Sequence, residues 1–131
     1  MTMKITAKQI NDVELKEHAL KTIKLIEEEK YEVLADEYGY ALSFNENPAE
    51  VISKEISQCL EQAGDNAKLV PMQKPNVLVK YFEPNDIPLV AVVEYSLAIE
   101  NGTGAVFVEL VVSGEEENCN ISVEQISYVF A

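Results

Sequence analysis

The stretch from Leu89 to Glu100 constrains this chain more than any other part of it. Leu89, Ala91, Val93, Tyr95, Leu97 and Ile99 recur at every second position and are all apolar. That is the period a β-strand imposes on a buried face. The alternate positions, Val90, Val92, Glu94, Ser96, Ala98 and Glu100, are mixed, which suits a face turned to solvent or to a partner. Asn101-Gly102 follows directly. It is a strong hairpin signal, because a type I′ turn needs positive φ at both central residues. A return strand then runs from Gly104 to Val112, a second turn occupies Gly114-Glu115-Glu116-Glu117-Asn118, and a last strand runs from Ile121 to Phe130. A further strand is expected within Asn76 to Phe82, between Pro75 and Pro84. The second half of the chain therefore predicts an antiparallel meander.

The first half reads as helical. Asn11-Asp12-Val13-Glu14 offers a cap and an acidic first turn, and Leu15, Ala19, Ile23 and Ile26 form a stripe at helical spacing. A start as early as Thr6 is left open. The run Glu27-Glu28-Glu29-Lys30 marks a polar end, after which Tyr31, Leu34, Ala35 and Tyr38 share one face of a shorter helix that Gly39 stops. Tyr40 to Phe44 alternates and predicts a short strand. Asn47 as cap, Pro48 as first helical residue and Glu50 three positions after the cap announce another helix. Its stripe is Ile52, Ile56, Cys59, Leu60 and Ala63, and Gly64 ends it. Helices first and strands last predict an α+β fold, with N-terminal helices packed on one face of a curved, mainly antiparallel meander sheet. At 131 residues the chain fits a single domain spanning 1–131.

Charge narrows the partners. The chain has 23 acidic and 10 basic residues, a formal net charge of −13. Phosphate backbones and anionic lipid repel such a surface, so neither nucleic acid nor membrane is expected as a partner. A basic protein is, with plain solubility as the competing explanation. The longest aliphatic run, Leu89 to Val93, is far shorter than the ~18 residues of a spanning helix. The first residues contain no apolar segment of the kind that directs secretion, so a cytoplasmic protein is expected. Cys59 and Cys119, far apart in sequence, predict neither a disulfide framework nor a zinc site.

The order of these elements resembles the NTF2-like superfamily, in which N-terminal helices lie across a strongly curved antiparallel sheet. The matching pieces are the helix ending near Ile26, the Tyr31–Tyr38 helix, the Tyr40–Phe44 strand, the Asn47–Ala63 helix and the meander. The resemblance covers most of the chain and is topological. It implies either a pocket between helices and sheet or a protein-binding surface, since the superfamily holds enzymes, ligand binders and bacterial immunity proteins.

No catalytic set emerges from the residue types. His18 is the only histidine and has no spacing-defined Ser or Cys partner, the glycines sit at helix ends and turns, and no metal or cofactor motif is present. The informative pattern is acidic. With Asn101-Gly102 as a two-residue turn, positions summing to 203 face each other, and Glu94 stands opposite Glu109. A four-residue loop through Gly104 would instead set Glu94 against Val111. If the next turn centres between Glu116 and Glu117, Glu109 stands opposite Glu124. Opposed like charges destabilise a sheet, so such a row needs solvent, a cation, a neighbouring Lys80 or a basic partner. Phe107 and Tyr128 fall on the same face in this register, which makes Glu94, Glu109, Glu124, Phe107 and Tyr128 the candidate partner-binding set. Tyr31, Tyr38 and Tyr40 are the candidate lining of a pocket.

Three functions follow as expectations. The first is an acidic protein-binding module, such as an immunity-type inhibitor of a basic toxin domain. The alternatives are an NTF2-like small-molecule binder or enzyme with a cavity between helices and sheet, and a homodimer of structural role.

Overall fold

The computed structural model describes residues 3–84, 88–115 and 117–130. The chain runs through β1 (Met3–Ile5), α1 (Asp12–Glu27), α2 (Tyr31–Tyr38), α3 (Pro48–Ala63), β2 (Lys68–Leu69), β3 (Val77–Tyr81), β4 (Leu89–Glu100), β5 (Ala105–Glu115) and β6 (Asn118–Val129). It is an α+β fold with the helices ahead of a curled antiparallel sheet. The strand order is β1-β6-β5-β4-β2, and β3 also pairs with β4. One edge of β4 pairs with β5, while the other is shared: Val77–Tyr81 lies against Ala91–Tyr95, and Lys68 and Leu69 lie against Glu100 and Ile99.

The helix starts follow from their caps. The Asn11 side chain accepts the Glu14 N–H at 3.0 Å and the Asn47 side chain accepts the Glu50 N–H at 3.1 Å, each satisfying a backbone donor that the first turn leaves unpaired. Thr6 caps a separate 3-10 turn at Ala7–Gln9, so α1 begins only after Asn11. Among the described residues no helix is long and apolar enough to cross a membrane.

All three helices lie on one side of the sheet. From Ala91 onward the apolar face of β4 turns toward them, with Ala91, Val93, Tyr95 and Leu97 buried; the β4–β5 register shifts between Leu89 and Ala91, so Leu89 does not continue that stripe as its spacing predicted. Val106, Val108, Leu110 and Val112 of β5 and Ile121, Val123 and Ile126 of β6 extend that layer. Leu15, Ala19, Ile23 and Ile26 of α1 and Ile52, Ile56 and Cys59 of α3 close over it. Each large aliphatic side chain buried this way contributes roughly 1.5–3 kcal/mol. A pair of hydroxyls sits in the layer. The hydroxyl of Thr22 donates to the Ala19 carbonyl at 2.8 Å and meets the Tyr95 hydroxyl at 2.7 Å, so both buried hydroxyls are satisfied. The Cys59 thiol acts as a small apolar group, its pKa pushed up to about 11 by burial and then by Glu55.

The expected strand at Tyr40–Phe44 is not formed. Tyr40 makes one isolated parallel bridge to Val123, and Ala41–Ser43 is a 3-10 turn. Both the Ser43 N–H, at 3.1 Å, and its hydroxyl, at 2.8 Å, donate to the Tyr40 carbonyl. A serine bonding back to the local backbone offers the chain an alternative to a strand ladder. One of the pieces that carried the topological resemblance is therefore a turn.

The β4–β5 hairpin keeps the expected register by another route. Ala98 pairs with Ala105 and Glu94 with Glu109, but only Asn101 of the turn dipeptide has positive φ, at 59°. Gly102 is required by proximity instead: a Cβ there would stand 2.9 Å from the Ala63 carbonyl oxygen and 2.8 Å from the Ala67 Cβ. The hairpin tip thus rests on the end of α3, where Thr103 N–H donates to Ala63 at 3.0 Å. The β5 ladder ends at Ala98–Ala105, while Ile99 and Glu100 still pair with β2 on the other edge, so a four-residue loop coexists with the tight-turn register. The second turn also follows the expected register, with Glu115 opposite Asn118; Glu116 within it lies outside the described residues.

Gly104 carries the remaining positive φ of this loop, +75°, and a Cβ there would lie 2.5 Å from the Val129 carbonyl oxygen and 2.7 Å from the Tyr128 hydroxyl. Both strain and overlap oppose a side chain at this position. Gly104→Ala is expected to lower unfolding stability by about 2–3 kcal/mol, read as a reduced urea midpoint with an unchanged slope.

Candidate functional site

The helices leave the other face of the sheet uncovered, and on it the sheet register assembles a charged row. Leu78 of β3, Glu94 of β4, Glu109 of β5 and Gln125 of β6 face one another in sequence across the strands. Lys80 stands one rung away, opposite Val92, and its ammonium lies 3.1 Å from the Glu94 carboxylate. The Glu94 side chain keeps only 20% of its surface in water against 52% for Lys80, so this ion pair is less screened than an ordinary surface pair.

Glu109 therefore stands directly opposite Glu94, as the hairpin signal implied. Its partner on the other side is Gln125 and not Glu124, because the β5–β6 register shifts between Glu109 and Leu110. Val123 still pairs with Leu110, so Glu124 is the extra residue of a β-bulge. It remains close enough to act on Glu109 electrostatically. The affinity of Glu109 for its proton is raised, first by partial burial, then by Glu94 and Glu124; Lys80 works in the opposite direction. A protonated Glu109 also gains a hydrogen bond to Glu94.

The bulge corrects a second expectation. Phe107 faces Ser96 on β4 and Ser127 on β6, on the same face as Glu109. Tyr128 pairs with Val106, which is fully buried in the helix-facing layer. One extra residue in β6 reverses the parity of everything after it, so Tyr128 lies on the opposite face from Phe107. Its hydroxyl donates to the Thr103 carbonyl at 3.1 Å and lies 3.0 Å from the Thr103 hydroxyl. It braces the hairpin tip and does not join the acidic row.

Beside the row, Asn76, Leu78, Glu94, Tyr95, Ser96 and Phe107 line an open groove of about 240 Å³. Leu78 is half-exposed. It was no part of the expected set, although its alternation with Lys80 along β3 places it on this face.

The structure does not gather Tyr31, Tyr38 and Tyr40 into one pocket. Tyr38 is fully buried and its hydroxyl lies 2.8 Å from His18 Nδ1, with the two rings edge to face. Burial, and then Glu37, raise the Tyr38 pKa, while burial, and then Lys21, lower that of His18. The imidazole is thus favoured in its neutral form. Nothing in the sequence announced this contact, since the two residues lie 20 positions apart on different helices. Tyr40 is also buried, its pKa pushed up to about 12 by burial and then Glu55. Tyr31 lines an open groove of about 680 Å³ between the starts of α2 and α3 that also holds Lys30, Asn47, Ser53 and Lys54.

No family model, curated protein or solved structure matches this chain. Among the described residues no group of three or more His, Cys, Asp or Glu side chains is arranged to hold a metal ion.

The carboxylate pair sets a pH dependence. Because the folded-state pKa of Glu109 is raised, its contribution to stability falls as pH rises from the ordinary carboxylate range through the raised value, and is then constant. Glu109→Gln is expected to stabilise the protein by about 0.5 kcal/mol at neutral pH. The gain should vanish in acid below the ordinary carboxylate range, where both proteins are uncharged at this position. Thermal melts of the two proteins across pH check this.

Proposed function

We propose that this chain is an acidic protein-binding module whose partner-facing surface is the uncovered sheet face around Glu94 and Glu109. The observation that carries the reading is the direct opposition of these carboxylates on neighbouring strands, with Lys80 paired to Glu94. Like charges facing each other weaken a sheet. A basic partner turns that cost into binding energy, and the net charge of −13 steers such a partner into encounter. The chemistry fits an immunity-type inhibitor on an NTF2-like framework. A toxin domain that grips phosphate must be basic where it does so, and a small acidic protein occludes that surface.

The groove at Tyr31 favours a second reading. Its volume of about 680 Å³ lies within the ~300–1,000 Å³ usual for small-molecule sites. On that reading a ligand seated between α2 and α3 raises the melting temperature, and Tyr31→Ala abolishes the shift.

Charge reversal at the row separates the two. Protein tagged and recovered from its native host should carry a basic partner in stoichiometric amount at low salt and lose it as salt rises. The Glu94→Lys, Glu109→Lys, Glu124→Lys triple variant should retain less than about a tenth of that capture, with a flatter salt dependence. Undiminished capture by the triple variant sinks this surface.

A further inference from the structure

We infer that the groove between β3, β4 and β5 on the uncovered sheet face is a socket for one arginine side chain of a partner protein. The inference rests on the protein-binding reading and names the chemical group that the surface recognises.

Size comes first. At about 240 Å³ the groove is smaller than the ~300–1,000 Å³ of small-molecule pockets, and suits a single inserted side chain. Its walls differ in character. Leu78, half-exposed on the edge strand, and Phe107, partly exposed on β5, supply apolar and aromatic surface. Ser96 stands opposite Phe107, and Glu94 lies one alternation further along the same strand. Glu109 stands opposite Glu94, where directly paired side chains have Cβ atoms ~4.5–5.5 Å apart.

Charge decides the occupant. Among the described residues the ion pair gives Lys80 to Glu94, and Lys80 acts on Glu109 from a longer range. An entering cation therefore meets two carboxylates that draw on the same lysine. A guanidinium fits this arrangement better than an ammonium. Its planar fork donates to two carboxylates at once, its face stacks on an aromatic ring, and it sheds water more readily. The aliphatic stem of the arginine lies along Leu78 while the head reaches the two glutamates. A second copy of this chain is a poor occupant, because two surfaces of net charge −13 repel.

The test uses the intact protein and the peptide acetyl-Gly-Arg-Gly-amide, followed by backbone amide NMR. Peptides with lysine or uncharged citrulline in place of arginine serve as controls. The expected result is saturable shifts confined to Leu78, Glu94, Ser96, Phe107 and Glu109. Binding should be about ten-fold tighter for arginine than for lysine and absent for citrulline. Phe107→Ser and Leu78→Ser should each reduce the preference for arginine while leaving the charges in place. Equal shifts for arginine and lysine, shifts spread over the other acidic residues, or no shifts at all would overturn the socket. So would concentration-dependent broadening of these amides without peptide, which would mean that a second copy fills the groove. Partner capture separates this failure from that of the broader reading. If capture depends on Glu94 and Glu109 but is unchanged by Phe107→Ser and Leu78→Ser, the acidic surface stands and the socket falls. If it depends on neither pair, both fall.

Discussion

Strand β4 is hydrogen-bonded along both edges, to β5 on one side and to β3 and β2 on the other. Its two-residue alternation is therefore fixed by three neighbours at once. One parity sends Ala91, Val93, Tyr95 and Leu97 into the layer beneath the helices, and the other sends Glu94 to the open face. A slip of one residue would bury the Glu94 carboxylate and expose a stripe of core side chains, a change far more costly than any surface rearrangement. The helix layer and the acidic row are in this sense two readouts of one register.

The bulge at Glu124 modifies that register without disturbing the core. Val123 and Ile126 on either side of it both remain buried, while Glu124 and Gln125 fall between them. Beyond it the parity of β6 is reversed, and Tyr128 arrives on the helix side to meet Thr103. The same extra residue thus adds a carboxylate near Glu109 and sends Tyr128 to the hairpin tip, which is seated on α3 through Ala63.

Much of this was legible in the residues. The three long strands, all three helices, the asparagine caps of α1 and α3, the helix-facing stripe and the Glu94–Glu109 opposition follow from periodicity and turn chemistry, which are local. What was not legible depends on partners distant in the chain. β1 and β2 span three and two residues, too few to show alternation, and exist because β6 and β4 offer them an edge. The serine that folds Tyr40–Phe44 into a turn competes with a strand pattern that looks equally good in sequence. The bulge leaves no mark at Glu124-Gln125, since two polar residues in succession read as an ordinary irregularity. The turn dipeptide Asn101-Gly102 gave the correct pairing for a partly different reason, because the glycine is needed for its closeness to α3.

The pairing of β1 with β6 has a consequence for how the chain reaches this state. Met3 lies against Ile121 and Ile5 against Cys119, so the seam joins residues on either side of all three helices and of strands β2 to β5. During synthesis the three helices emerge before any of the long strands they cover. Their apolar stripes must wait, exposed or loosely clustered, until the meander follows. Closing so long a loop is entropically slow. The nascent chain therefore passes through a stage with helices but no lid for them, the interval in which it is most vulnerable to proteases and to aggregation.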